Sequence, residues 1–225
     1  QGVTEADLID FTPELRADAI EILQDYVHGP IFTPPSLIGT GPGDTRGTIE
    51  LPGYTGGANW NGAAFDPQTG LLYVSSTTRP IIPALVELGP DRSNLRYSRG
   101  RMRPPGGPDG LPLFKGPYGR ITAIDLNRGE ILWQTPHGAT PDRVQRHPAL
   151  AGLDIPRTGE PCAGLVGPLV TRTLVIMGEC SYHALPGGQR GAMLRAYDKA
   201  TGAEVGAVYM PAQQSGSPMT YIVDG

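Results

Sequence analysis

Three times along this chain an apolar strand runs into an aspartate, crosses a short turn that closes on glycine four residues later, and returns as a second strand. The turns are Asp66-Pro67-Gln68-Thr69-Gly70, Asp125-Leu126-Asn127-Arg128-Gly129 and Asp198-Lys199-Ala200-Thr201-Gly202. Aspartate can bond its own backbone in such a turn while glycine takes a positive φ, so each unit reads as a β-hairpin. Successive aspartates lie too far apart for one hairpin and suit a four-stranded sheet with decorated loops. An alanine two positions before Asp125 and again before Asp198 strengthens the repeat. Four-stranded sheets repeated around an axis are β-propeller blades, because a lone blade leaves faces that only its neighbours can bury. The predicted fold class is all-β, with long loops: an incomplete propeller of about three blades over residues 31–225, preceded by a helical segment and connector over residues 1–30.

The rest of the sequence agrees with that pattern. Hydrophobic residues make up 39% of 225, enough for a packed core, and the 32 glycines and 24 prolines punctuate short strands rather than forming low-complexity tracts. Residues 4–28 carry the one convincing helix, with Thr12 as N-cap, Pro13 in the first turn, an apolar stripe of Leu15, Ala19, Ile22 and Tyr26, and Gly29 as the stop. Residues 79–117 and 137–161 read as long loops, the first rich in proline and arginine and long enough to suggest function or a partner. The ending at 218–225 carries a strand and a turn signal with nothing beyond, so the chain is expected to be truncated at both ends.

Charge and motif content exclude several functions. A formal net charge of −4 gives no footprint for nucleic acid. The basic cluster Arg96, Arg99, Arg101 and Arg103 reads as a solvated loop rather than an anion site. No apolar run reaches the length of a membrane span and no signal peptide opens the chain, so membrane association is expected only through regions outside it. His28, His137, His147 and His183 are scattered without the spacing of a metal site, and are read as exposed or locally bonded. Cys162 and Cys180 fall nearly opposite each other about a turn at 171–173. A cross-strand disulfide and two reduced thiols are both compatible with that placement, and a disulfide implies an oxidising compartment.

The pattern Ala-x-Asp-x-x-x-Gly-x-x-x-Trp, complete from Ala123 to Trp133, resembles the tryptophan-docking motif of quinoprotein dehydrogenases that use pyrroloquinoline quinone (PQQ), the glucose dehydrogenase branch most closely. Residues 31–36, the run 52–74 and the closing 216–221 are similar to that family as well. The resemblance implies the C-terminal part of an eight-bladed propeller, with Trp133 packed between blades. Gly206 stands where the last repeat would place its tryptophan. It also implies that Asn59 and Trp60 lie at the cofactor, where amide and indole donors and a flat ring would suit a planar tricarboxylate quinone. Read without the resemblance, Trp60 packs in the core and Asn59 caps a turn. Ser75 stands where glucose-oxidising relatives often carry asparagine, which implies a weakened or absent contact with the quinone.

The family's aspartate base and its calcium ligands are expected in the part of the ring this chain lacks, so neither a catalytic residue nor a metal ligand is assigned. Asp66, Asp125 and Asp198 are read as turn residues. The resemblance implies a periplasmic PQQ- and calcium-dependent dehydrogenase that oxidises a sugar or alcohol and passes electrons to a respiratory quinone or a cytochrome. The competing reading is a non-catalytic propeller serving as a scaffold for protein partners.

Overall fold

The computed structural model describes residues 2–39, 44–100, 102–184, 188–221 and 223. Arg101 of the basic cluster and Ile222, Asp224 and Gly225 of the closing turn signal lie outside the described residues. In chain order the strands are β1 (Ser36–Leu37), β2 (Ala63–Asp66), β3 (Leu71–Thr77), β4 (Ala84–Glu87), β5 (Tyr97–Arg99) and β6 (Gly119–Asp125). They continue as β7 (Glu130–Pro136), β8 (Leu169–Val170), β9 (Leu174–Gly178), β10 (His183–Ala184), β11 (Arg190–Asp198) and β12 (Glu204–Met210). The helices are α1 (Pro13–Gln24) and the single turn α2 (Asp142–Gln145).

The chain divides into two compact units, Gln1–Gly56 with Arg79–Lys115, and Gly57–Thr78 with Gly116–Gly225. In the first unit Thr12 caps α1, its hydroxyl accepting from the Leu15 amide at 3.2 Å, and Pro13 occupies the first turn. The helix stops at Gln24, before Gly29, and buries Leu15, Ala19 and Leu23, so Leu23 takes the core place expected of Ile22. Residues 4–11 are not helical beyond a single 3-10 turn at Glu5–Asp7. They pair instead with the far end of the 79–117 segment: Ile9 N–H donates to Leu113 O and Lys115 N–H to Asp7 O. That segment is thus more than a loop. It supplies β4 and β5 to a three-stranded sheet with β1, and its Leu111, Leu113 and Phe114 are buried.

The second unit contains two sheets. One is four-stranded in the order β2-β3-β6-β7, antiparallel throughout. The other runs β8-β9-β11-β12, with the short β10 also paired to β11. The first two aspartate hairpins, expected in separate blades, thus lie side by side in one sheet, because β3 pairs with β6 along seven residues from Leu71↔Asp125 to Thr77↔Gly119. Between the sheets lies a core of Tyr73, Ile121, Ala123, Ala163, Val166, Val175, Met177 and Tyr197.

All three aspartate side chains accept from the amide two residues on. Asp66 accepts from Gln68 N–H, Asp125 from Asn127 and Arg128 N–H, and Asp198 from Ala200 and Thr201 N–H. Gly70, Gly129 and Gly202 close them at φ 73°, 71° and 73°, a conformation open to glycine. The third turn also docks the sheets together. Lys199 O accepts from Trp133 Nε1–H at 3.2 Å and from the Tyr73 hydroxyl at 3.3 Å, and Lys199 Nζ pairs with Asp66 Oδ2 at 2.6 Å. A Cβ on Gly202 would meet the Trp133 ring at 2.6 Å. Trp133 therefore joins the two sheets, as its position in the motif implies.

Candidate functional site

The Asn59-Trp60 loop enters the first sheet through Gly62, at φ 98°. It is held by its backbone: Thr77 N–H donates to Gly57 O at 2.8 Å, and Ser217 Oγ donates to Asn61 O at 2.9 Å. Gln214 Nε2 donates to Gly167 O and Gly216 O, both at 2.8 Å, and Gly167 N–H donates to Gly216 O at 3.1 Å. Stretches 57–61, 166–167 and 214–217 are thereby knitted near β2 and β8, the terminal strands of the two sheets. Anchoring by main chain leaves the side chains of the loop uncommitted. Asn59 accepts from Trp60 N–H through Oδ1 at 2.8 Å, and Trp60 is 94% exposed, so it is not a core residue. An unburied indole on a pinned loop is a poor use of apolar surface unless something covers it.

Ser75 is placed differently. It is 2% exposed and its hydroxyl donates to Val166 O at 2.8 Å, tying β3 to the approach of β8. Its one donor is used within the protein and its surface is closed. Asp66, Asp125 and Asp198 are turn residues, as read.

Sequence reasoning missed a buried polar cluster in the second unit. Glu160 and Glu179 are fully buried and His183 is 5% exposed. His183 Nε2 stands 3.1 Å from Glu160 Oε1, 4.0 Å from Glu179 Oε2 and 3.3 Å from Ser181 Oγ. Glu160 Oε2 accepts from Cys180 N–H at 3.0 Å and from Ser181 Oγ at 2.7 Å. Glu179 Oε1 takes two bonds from Arg195, at 2.6 and 2.9 Å, while Oε2 accepts from Met193 N–H at 2.8 Å. Arg195 also reaches Glu204, which Arg157 holds from the other side. The Glu160 carboxylate beside it raises the His183 pKa above its ordinary value. His183, read from the sequence as exposed or locally bonded, is buried and bonded within this cluster. Glu179 and His183 flank a bend at the end of β9, and the loop at 158–162 brings Glu160 to them.

Cys162 and Cys180 are joined in a disulfide with Cα atoms 6.0 Å apart. It does not cross rungs of the hairpin, since β8 covers only Leu169–Val170; it ties the turn after Glu160 to the end of β9, beside this cluster. His137 is fully buried, with Nε2 at 3.1 Å from Gly178 O and Nδ1 at 2.9 Å from the Tyr197 hydroxyl. The carbonyl can only accept, so Nε2 carries the proton and Nδ1 accepts from the tyrosine. Burial holds its pKa down at about 4.

Comparison with protein families gives a match across residues 1–225 to the model described as "PQQ: Glucose/ethanol/alcohol dehydrogenase, beta-propeller domain". The chain belongs to this quinoprotein family. Among its relatives, the glycerol dehydrogenase large subunit of Gluconobacter oxydans is 31% identical over 221 residues, covering 86% of this chain and 27% of the relative. The quinoprotein glucose dehydrogenase of Escherichia coli is 27% identical over 214 residues, covering 87% and 24%. The quinate/shikimate dehydrogenase (quinone) of Acinetobacter baylyi is 26% identical over 202 residues, covering 81% and 23%. Among solved structures, the quinohemoprotein alcohol dehydrogenase of Comamonas testosteroni aligns at a TM-score of 0.47 with 20% identity, covering 88% of this chain and 27% of that one. The chain spans about a quarter of the length of these relatives.

A quinoprotein site must grip a flat ring system edged with carbonyl and carboxylate oxygens. The loop fits one wall of such a site: the Trp60 ring presents an open apolar face, and the Asn59 amide nitrogen makes no hydrogen bond among the described residues. No role toward calcium is assigned to any residue of this loop.

Proposed function

We propose that this chain is part of a periplasmic dehydrogenase that oxidises a sugar or alcohol hydroxyl with bound PQQ and passes the electrons to a respiratory quinone or a cytochrome. The observation that carries the reading is the 94% exposed Trp60 beside Asn59, on a loop whose backbone is fixed at Gly57 O and Asn61 O, in a chain of the quinoprotein family. The names of the relatives, which include glycerol, glucose and quinate dehydrogenases, favour a polyol or sugar over a simple alkanol. The Cys162–Cys180 disulfide supports an oxidising compartment.

PQQ supplies the two-electron acceptor, with calcium as the expected Lewis acid. The chain's own contribution is binding and orientation. Trp60 offers stacking area and withdraws the ring face from water, while Asn59 donates an N–H to a cofactor oxygen. The bonds from Ser217 Oγ to Asn61 O and from Thr77 N–H to Gly57 O fix the loop, so that little ordering cost falls on binding. The test is reconstitution of the full-length protein that contains this chain with PQQ and calcium, followed by dye-linked oxidation of glucose, glycerol and a panel of alcohols. Cofactor-dependent activity that falls in Trp60→Ala and Asn59→Ala is the expected result. A protein that neither binds PQQ nor oxidises any of them would favour the scaffold reading.

A further inference from the structure

The buried cluster around Glu160 distributes its cations unevenly. Three carboxylates, Glu160, Glu179 and Glu204, meet two guanidiniums, Arg157 and Arg195. Both arginines are directed at Glu179 and Glu204; neither reaches Glu160. Among the described residues Glu160 has the His183 imidazole, 3.1 Å away, as its cationic partner, and a buried carboxylate compensated by one imidazole alone is costly. A second observation concerns its free oxygen. Glu160 Oε2 is fully used, yet Oε1 is enclosed and accepts no hydrogen bond, although His183 Nε2 lies 3.1 Å away. A buried carboxylate oxygen left without a donor is rare and calls for a ligand.

We infer that Glu160 Oε1, Glu179 Oε2 and His183 Nε2 form a binding site for a first-row divalent cation, of which zinc is the type. The three atoms come from three separate side chains and all lie within 4.8 Å of one another. Two ligands of a tetrahedral zinc, each about 2.1 Å from the metal, stand about 3.4 Å apart, and the observed 3.1 and 4.0 Å bracket that spacing. Imidazole with two carboxylates suits zinc or manganese better than a hard cation that prefers six or more oxygens.

The surroundings are those of a supported site. Each carboxylate keeps its outer bonds: Cys180 N–H and Ser181 Oγ hold Glu160 Oε2, and Arg195 holds Glu179 Oε1. Such partners orient ligands and raise affinity. The Cys162–Cys180 disulfide clamps the segment carrying Glu160 to the one carrying Glu179 and His183. Binding would release a proton from any His183 that is protonated, since the ligand form is the neutral imidazole.

The test is metal titration of the purified protein after chelator treatment, using Zn²⁺ by calorimetry and Co²⁺ by visible absorption, because four- or five-coordinate cobalt has intense ligand-field bands that hexa-aqua cobalt lacks. One equivalent per chain, those bands, and a loss of at least roughly tenfold in affinity in both His183→Ala and Glu160→Gln are expected. Zinc should also raise the thermal midpoint of the native protein and not that of His183→Ala. A native protein that takes up no cobalt with such bands, or in which His183→Ala binds as tightly as native, overturns the proposal. The native titration decides even if a variant fails to fold. Neither readout involves PQQ, so a failure here leaves the dehydrogenase reading untouched.

Discussion

Single residues set two successive limits on where this fold tolerates acid. His137 is held neutral between Gly178 O and Tyr197, with its pKa lowered to about 4 from 6.5. Between those values the unfolded chain binds the proton and the folded one does not, so the contribution is whole above pH 6.5 and declines as pH falls toward 4. In His137→Gln the urea midpoint should lose part of its pH dependence over that interval; an unchanged slope would remove His137 from the account. Asp66 acts lower down. Its bonds from Lys199 and Thr69 bring its pKa to about 2 from 3.8, so its stabilisation is present above 3.8 and lost as pH falls through 2. Asp66→Asn should show a smaller drop in urea midpoint between pH 4 and 2 than the native chain. The two residues differ in how far they could be read from sequence. Asp66 was legible because its turn is local, four residues with their own bonding. His137 was not, because its partners lie some forty and sixty positions away and only the packing of β9 and β11 brings them to it.

At the scale of elements, the contact between the two sheets of the second unit rests on Trp133 reaching across to the turn that closes β11. Trp133→Phe removes the bond to Lys199 O and should cost about 1 kcal/mol, and Trp133→Ala should cost about 3 kcal/mol, read from urea unfolding. Equal losses in both would mean that the hydrogen bond carries the contact and ring packing does not. The disulfide is the other cross-link. Its sequence separation is 18, for which chain-entropy arguments give about 3 kcal/mol, and Cys162→Ala/Cys180→Ala should lower stability by about that much. Hairpins and docking motif were legible because they recur with the same turn chemistry. Their assembly was not: two hairpins separated by a long insertion can share a sheet or lie in different ones, and the choice is made by the β3–β6 pairing, which no local pattern specifies. The insertion itself looked unstructured because its strands are short and its partners are the N-terminal residues.

For the whole molecule, the family and its propeller architecture were legible from the repeat, while the Glu160-Glu179-His183 cluster was not, because its members are distant or look like ordinary strand-end polar residues until the loop at 158–162 folds over them. The outermost strand β12 leaves Val205, Val208 and Tyr209 59%, 61% and 43% exposed. An apolar edge of that kind favours association with other chains. Residues 1–225 expressed alone should therefore self-associate in sedimentation experiments, and a soluble monomer with a cooperative thermal transition would contradict this. The account's central claim is that the exposed Trp60 is a wall of a quinone site. The most direct test is the affinity for PQQ itself, measured by equilibrium titration of the purified protein, of Trp60→Ala, and of Trp133→Phe as a variant altered only between the sheets. Loss of one large stacking contact should weaken PQQ binding by about tenfold in Trp60→Ala, with Trp133→Phe unchanged. Native-like affinity in Trp60→Ala would contradict the claim.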